Sequence, residues 1–261
     1  MNRRPVSVDL AQFPQEYHAL LQKSRVYDSS CSSEARVWYL EEGQGFYLKR
    51  APKGSLGREA AMTSYFASKG LSATVLSYES DEFDWLLTSR IAGEDCTHGT
   101  YLAEPERLCD LLAQRLRMLH ETSFADCPVP RRTAEYLAFA AKNYGEGRGD
   151  LSLFEDVPPF KTVEEAWSLV SRYGGCLQEN VLLHGDYCLP NILLEDWRFS
   201  GFIDVGNGGV GDRHIDLFWG LWTLRYNLRT SRFASRFLDA YGRENVEKDL
   251  LRVVAAAEVF G

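Results

Sequence analysis

The sequence has no C-x-x-C pair, no low-complexity stretch and no apolar run approaching the roughly 20 residues that span a bilayer. Its six cysteines, Cys31, Cys96, Cys109, Cys127, Cys176 and Cys188, are scattered, which argues against a zinc site. No apolar segment follows Arg3 and Arg4, so no secretory signal is expected, and six free thiols fit a reducing cytoplasm. Positive charge is in deficit, with 29 Lys and Arg against 37 Asp and Glu and a net charge of −8. A general nucleic-acid or anionic-membrane binder needs a basic surface, so neither kind of partner is expected. An acidic chain instead attracts cations. The 45% apolar and 25% charged residues are ordinary globular usage, and 261 residues suit one large domain or two lobes.

The first third reads as strand-rich. Arg36 to Leu40 and Gly45 to Arg50 are β-prone runs joined by a turn, a hairpin pattern. Gly57 to Lys69 carries helical spacing and Gly70 stops it. Ala73 to Tyr78 and Asp84 to Ser89 are two more expected strands. Between them Glu79, Asp81 and Glu82, with Asp84, put four acids in six residues, which reads as a solvated hairpin tip or a cation-steering patch. After a connector near Thr88 to Gly93 the pattern turns helical. Leu108, Leu111, Leu112, Leu116 and Leu119 form one stripe over Pro105 to Ser123, with Pro105 placed to start the helix. Further helices are expected over 133–144, 163–173, 212–228, 233–241 and 246–259. One strand-like island interrupts them: Val181–Leu183, Ile192–Leu194 and Phe199–Asp204. The expectation is an α+β, two-lobed chain, a small β-rich lobe over 1–90 and a larger helical lobe over 91–261.

The chemistry lies in the island. His184-Gly185-Asp186, four residues, then Asn191 reads H-G-D-x-x-x-x-N, and Asp204 follows a strand thirteen residues later. Protein kinases use an H-R-D-x-x-x-x-N loop and a later strand-borne metal aspartate. Phosphoryl transfer needs an acceptor hydroxyl aligned and its proton accepted, the role this spacing gives Asp186. A triphosphate travels with a divalent ion that prefers oxygen ligands, which Asn191 and Asp204 supply as amide oxygen and carboxylate. Two other readings stand beside this one. An Asp after His-Gly can simply cap a turn, with Asp212 as a helix N-cap and Asp216 holding a loop. The H-x-D pairs at 184–186 and 214–216 would suit a metallohydrolase.

With this motif the sequence resembles the aminoglycoside 3′-phosphotransferases, small antibiotic kinases with a protein-kinase-like fold. The likeness runs from about Tyr39 to Phe260. It includes Gly201-Phe202-Ile203-Asp204, the His120 helix followed by Asp126-Cys127-Pro128, and Pro159-Phe160-Lys161. The resemblance implies ATP and Mg2+ as co-substrate and metal, and a polycationic aminoglycoside as acceptor. It implies that Lys49 holds the α- and β-phosphates with Glu59 as its ion-pair partner, that Tyr47 stacks on adenine, and that Ser89 and Ile91 offer backbone groups to the adenine edge. Ser32 and Ser33 match the loop over the phosphates. Read alone, Lys49 is an edge-strand charge.

For the acceptor the resemblance implies four contact residues: the carboxylates Glu155 and Asp156 in an acidic loop, Glu258 near the C-terminus, and Phe260, the aromatic that normally ends the chain. Departures are concentrated here. Family acids are matched by Ala257, Tyr226 and Asn227, a basic residue by Asn207, and Gly261 follows Phe260. A charge-assisted hydrogen bond is worth roughly 1.5–3 kcal/mol, so the antibiotic grip is thinned while the kinase motif is whole. A related kinase acting on another hydroxylated amine or antibiotic is therefore the alternative. Trp219 and Trp222, one helical turn apart, read as core or as a wall of the acceptor site.

Overall fold

The computed structural model describes residues 3–31, 34–154 and 159–261. In chain order the first elements are β1 (Arg4–Pro5), α1 (Gln15–Lys23), β2 (Arg25–Asp28), β3 (Arg36–Glu41), β4 (Phe46–Pro52), α2 (Gly57–Ser68), β5 (Val75–Ser80), β6 (Phe83–Ser89) and β7 (Glu94–Asp95). Then come α3 (Gly99–Leu102), α4 (Pro105–His120), α5 (Arg132–Gly145), α6 (Val163–Tyr173) and β8 (Val181–Leu183). The rest are β9 (Ile192–Glu195), β10 (Arg198–Phe202), β11 (Gly209–Gly211), α7 (Arg213–Leu228), α8 (Ala234–Tyr241) and α9 (Lys248–Glu258). Contacts divide the chain into two compact units, Met1–Cys96 with Pro190–Gly206, and Thr97–Leu189 with Asn207–Gly261. Among the described residues no helix is long and apolar enough to cross a membrane.

The first unit is built on a six-stranded antiparallel sheet in the order β1-β2-β3-β4-β6-β5. Alternation along β4 separates two environments. Leu48 is wholly buried in a cluster with Phe13, Tyr17 and Leu21, brought by α1 and the turn before it, and with Trp38 and Trp85. Ala51 faces the other way, into a cluster with Leu56, Ala60 and Leu86 beside α2. Tyr47 and Lys49 share that second face by the strand period of two. A small sheet, β10-β9-β7, completes the unit. Gly93 has φ +93° and a Cβ there would lie 2.1 Å from the Leu194 carbonyl oxygen, so only glycine lets β7 approach β9.

The second unit is helical around the β8–β11 pair. Leu108, Leu112, Leu116 and Leu119 of α4 are buried as the stripe predicted, with Cys109 and Ala113 filling gaps between them, while Leu111 of the same stripe is only half-buried. A second core gathers Tyr136 and Ala140 of α5, Ala166 and Val170 of α6, Leu183, Ile215 and the apolar face of α9 from Val253 to Ala257. All six cysteines are free, and Asp212 caps α7 by accepting from the His214 N–H.

The differences from the sequence expectation have physical causes. Neither α1 nor β2 was expected, because their apolar residues are sparse and gain meaning only against Trp38 and Trp85. The β5–β6 hairpin turns over two residues, Asp81 and Glu82, so β5 starts and ends two residues later than expected. Asp84 is drawn inward rather than solvated. It is fully buried and accepts from the Gly54 and Leu56 N–H groups (2.9 and 2.8 Å), Ser80 Oγ (2.6 Å) and the Tyr78 hydroxyl (3.1 Å). Leu56 immediately precedes α2, so this carboxylate fixes the start of that helix. Asp84→Ala should therefore cost roughly 2–5 kcal/mol in urea unfolding, because it strands the buried Leu56 N–H and also removes the bonds from the Gly54 N–H, Ser80 and Tyr78.

Candidate active site

In the first unit, Lys49 projects from β4 and Glu59 from the first turn of α2. The Lys49 ammonium donates to both Glu59 oxygens, at 2.9 and 2.8 Å, and to Asp204 Oδ1 at 3.3 Å. One cation thus serves two carboxylates. Burial opposes the Lys49 charge, but the fields of Asp204 and Glu59 outweigh it and hold its pKa above the ordinary lysine value. Burial, helped by the neighbouring Asp204 charge, holds Glu59 above the usual carboxylate range despite Lys49.

Asp204 follows β10 with φ +53°, a left-handed backbone that few non-glycine residues adopt. Strain of this kind at a charged, half-exposed residue points to function. The Ile203 N–H donates to the Asn191 carbonyl at 3.0 Å, so the segments carrying Asn191 and Asp204 are tied by a backbone bond. An amide oxygen and a carboxylate are hard donors, a set that fits a magnesium ion.

The adenine-side candidates lie on the same sheet with some of their groups already engaged. The Tyr47 hydroxyl accepts from Arg3 Nη2 at 2.8 Å, and the Arg3 guanidinium sits 3.8 Å above the Tyr39 ring. Ser89 gives its N–H to the Thr74 carbonyl and its hydroxyl oxygen accepts the Thr74 N–H at 3.0 Å. Ile91 packs its side chain toward Gly201. Ser32, Ser33, Glu155 and Asp156 lie outside the described residues.

In the second unit, Asp186 sits on the loop after β8. His184, Gly185 and Tyr187 to Leu189 are buried around it, and Asp186 alone of the run 184–189 is half-exposed. The loop is anchored by Asp216 of α7, which is fully buried. Its Oδ2 accepts the His184 N–H at 2.7 Å and its Oδ1 the Gly185 N–H at 2.8 Å. Gly185 has φ +85°, and a Cβ there would lie 1.9 Å from the Asn207 carbonyl oxygen. The Asp186 N–H reaches His184 Nδ1 at 3.3 Å, so that nitrogen is an acceptor. His214 is occupied at both ring nitrogens, by Asp212 Oδ1 (2.6 Å) and the Glu247 N–H (2.9 Å). It has no lone pair left for a metal, which removes the metallohydrolase reading.

Glu258 is held by two donors: Oε1 accepts from the Tyr136 hydroxyl at 2.9 Å and from Trp219 Nε1 at 3.1 Å. Burial nevertheless pushes its pKa up to about 7, with the Asp186 charge adding to the rise. Phe260 is a packing residue here. Its ring is 1% exposed, edge-on to Tyr144 and Trp167, and its carbonyl accepts from Asn143 Nδ2. Among the departures, Ala257 is buried in the core, Tyr226 stacks on Trp222, and Asn227 turns back to Thr223. Arg132, which the motif did not single out, donates from Nε to the Asn207 carbonyl at 2.7 Å, so a cation is present where residue 207 lacks one.

The model of a phosphotransferase enzyme family matches residues 31–254. A probable aminoglycoside 3′-phosphotransferase of Lactococcus lactis subsp. lactis is 44% identical over 261 residues, covering 100% of this chain and 99% of the relative. The chain belongs to the aminoglycoside 3′-phosphotransferase family. It is a phosphotransferase with an alcohol group as acceptor. A crystal structure of an aminoglycoside 3′-phosphotransferase of type VIII superposes with TM-score 0.75 at 25% identity, covering 96% of both chains. The Streptomyces rimosus enzyme APH(3″)-Id, solved with ADP and streptomycin, has TM-score 0.73 at 22% identity, covering 97% of this chain and 99% of its own. The shared architecture is the kinase-like α+β fold, a β-rich N-terminal and a helical C-terminal region.

For this family member Glu258 gives a measurable signature. A carboxyl whose pKa rises from 4.5 to about 7 on folding contributes stability that is full below the unfolded value and lost as pH climbs through the folded one. Relative to Glu258→Gln, the wild type should lose about 3 kcal/mol between about pH 4 and about pH 8, read by urea unfolding across that range.

Proposed function

We propose that the enzyme transfers the γ-phosphate of ATP to a hydroxyl of an aminoglycoside of the kanamycin or neomycin type, inside the cytoplasm, with resistance as the consequence. The observation that carries this reading is the Lys49 ammonium joined to Glu59 and Asp204, a fixed cation beside a strained carboxylate. Lys49 would orient the α- and β-phosphates, and Asn191 and Asp204 would hold magnesium. When bound, magnesium neutralises phosphate charge. Asp186 would accept the hydroxyl proton as the new O–P bond forms and the bond to the β-phosphate bridge breaks, releasing ADP. Tyr47, Ser89 and Ile91 would meet the adenine, Ser32 and Ser33 the phosphates, and Glu155, Asp156 and Glu258 the cationic acceptor. The ADP bound by the Streptomyces rimosus enzyme supports a nucleotide donor.

A second reading is favoured by Ala257, Asn227 and Tyr226, none of which offers a carboxylate to a polycation. On it the same machinery phosphorylates a different hydroxylated amine. ADP release with MgATP across 4,6- and 4,5-linked aminoglycosides separates the two. Drug-dependent release that falls roughly 100-fold or more in Asp186→Ala is the expected result. Clear ATP binding with no drug-dependent release favours the second acceptor class. Undiminished turnover by Asp186→Ala would sink both.

A further inference from the structure

A row of three tyrosines crosses the sheet of the first unit. In the strand register Tyr27 of β2 stands opposite Tyr39 of β3, and Tyr39 stands opposite Tyr47 of β4. Directly opposed residues share a face, so the three rings line one side of the sheet, with centroid separations of 5.9 and 5.2 Å. Arg3 joins this row. Pro5 of β1 pairs with Tyr27, and Arg3, two residues before it, emerges on the same face. Its guanidinium carbon lies 3.8 Å from the Tyr39 ring centre and 5.8 Å from that of Tyr47. Nη2 donates to the Tyr47 hydroxyl at 2.8 Å, and Nε is shut off from solvent. The guanidinium therefore rests on the ring face of one tyrosine and holds the next by its hydroxyl end. Burial keeps the Tyr47 pKa above the usual tyrosine value, so that hydroxyl is neutral and accepts the bond as a phenol.

We propose that Arg3 is a positioning residue for the nucleotide base: it holds the Tyr47 ring in the orientation that stacks on adenine. This rests on the reading of Tyr47 as the platform for the base. A hydrogen bond from a charged donor is among the stronger ones a hydroxyl can accept, and this one is backed by the stacking of the same guanidinium on Tyr39. A platform ordered before the base arrives spares the cost of ordering it on binding. Gly45 belongs to the same arrangement. It has φ +88°, and a Cβ there would lie 2.7 Å from the Tyr39 hydroxyl oxygen, so a side chain at 45 would displace the ring on which the guanidinium rests. The segment before β1 thus takes part in nucleotide recognition from 44 residues away in sequence, through a tyrosine and not through the ligand itself.

The test is calorimetric binding of adenosine, MgADP and MgATP to Arg3→Ala, Tyr47→Phe, the double variant and Tyr47→Ala, with the melting temperature measured on each. Arg3→Ala should weaken MgATP binding about three- to tenfold, the value of one side chain left to be ordered by the ligand. Tyr47→Phe keeps the ring and loses the hydroxyl, so it should lose the same factor. Because both changes remove one bond, the double variant should bind no more weakly than the worse single one. Arg3 acts through the ring and not on the phosphates, so the factor should be equal for all three ligands. Tyr47→Ala removes the platform and should fall further, by about tenfold or more. The proposal is overturned if Arg3→Ala binds MgATP as well as the wild type or better, if the two single losses multiply in the double variant, or if the Arg3→Ala loss is confined to the phosphorylated ligands. Should Arg3→Ala fail to fold, Tyr47→Phe alone decides, and unchanged MgATP binding by it overturns the proposal. A Tyr47→Ala protein that binds MgATP like the wild type would instead remove the platform on which Arg3 acts, a separate failure.

Discussion

Asp216 accepts two consecutive backbone N–H groups, His184 on one oxygen and Gly185 on the other, at zero solvent exposure. A carboxylate so deep is costly unless each lone pair is used. A third partner is His120 Nε2, 3.3 Å from Oδ2. Burial holds the His120 pKa down, so the ring is neutral; its Nδ1 meets the Tyr241 hydroxyl at 2.7 Å, leaving Nε2 to donate to Asp216. The turn that presents Asp186 is thereby fixed by α7 and α4 together, and Gly185 is required because any side chain would collide with the Asn207 backbone.

The same face of α7 organises the rest of the second unit. Asp216, Trp219, Thr223 and Asn227 recur at spacings of three and four, one stripe of a helix. Asp216 holds the loop entrance, Thr223 its exit through the Leu189 N–H, and Trp219 grips the Glu258 carboxylate. Each polar group on the stripe spends its hydrogen bonds on a neighbour, so the site is stiffened before any ligand arrives. In the first unit the corresponding constraint is charge. Two carboxylates share the Lys49 ammonium and leave one negative charge over, a surplus that would favour a cation.

How much of this was legible depended on locality. The H-G-D loop, its flanking apolar strands and the leucine stripe of α4 are short-range patterns, and they were readable because sequence neighbours carry them. The Lys49–Glu59 pair needed the family resemblance, since a lysine on a strand is otherwise only a surface charge. Asp84 reads in the sequence as part of a solvated tip or a cation-steering patch, because nothing near it in the chain shows that Gly54 and Leu56 come to it. Phe260 was expected to meet the acceptor, and it packs on Tyr144 and Trp167 because α5 and α6 converge there. The return of residues 190–206 to the first unit, the inward turn of Asn227 and the Arg132 contact with Asn207 all arise from long-range packing that no local pattern records.

The most direct measurement is the mass of an aminoglycoside recovered after incubation with the protein and MgATP. The account predicts a single added phosphoryl group, formed in step with ADP and absent from the Asp186→Ala reaction. An aminoglycoside of unchanged mass, with ATP consumed to ADP and free phosphate at the same rate in both proteins, would contradict it.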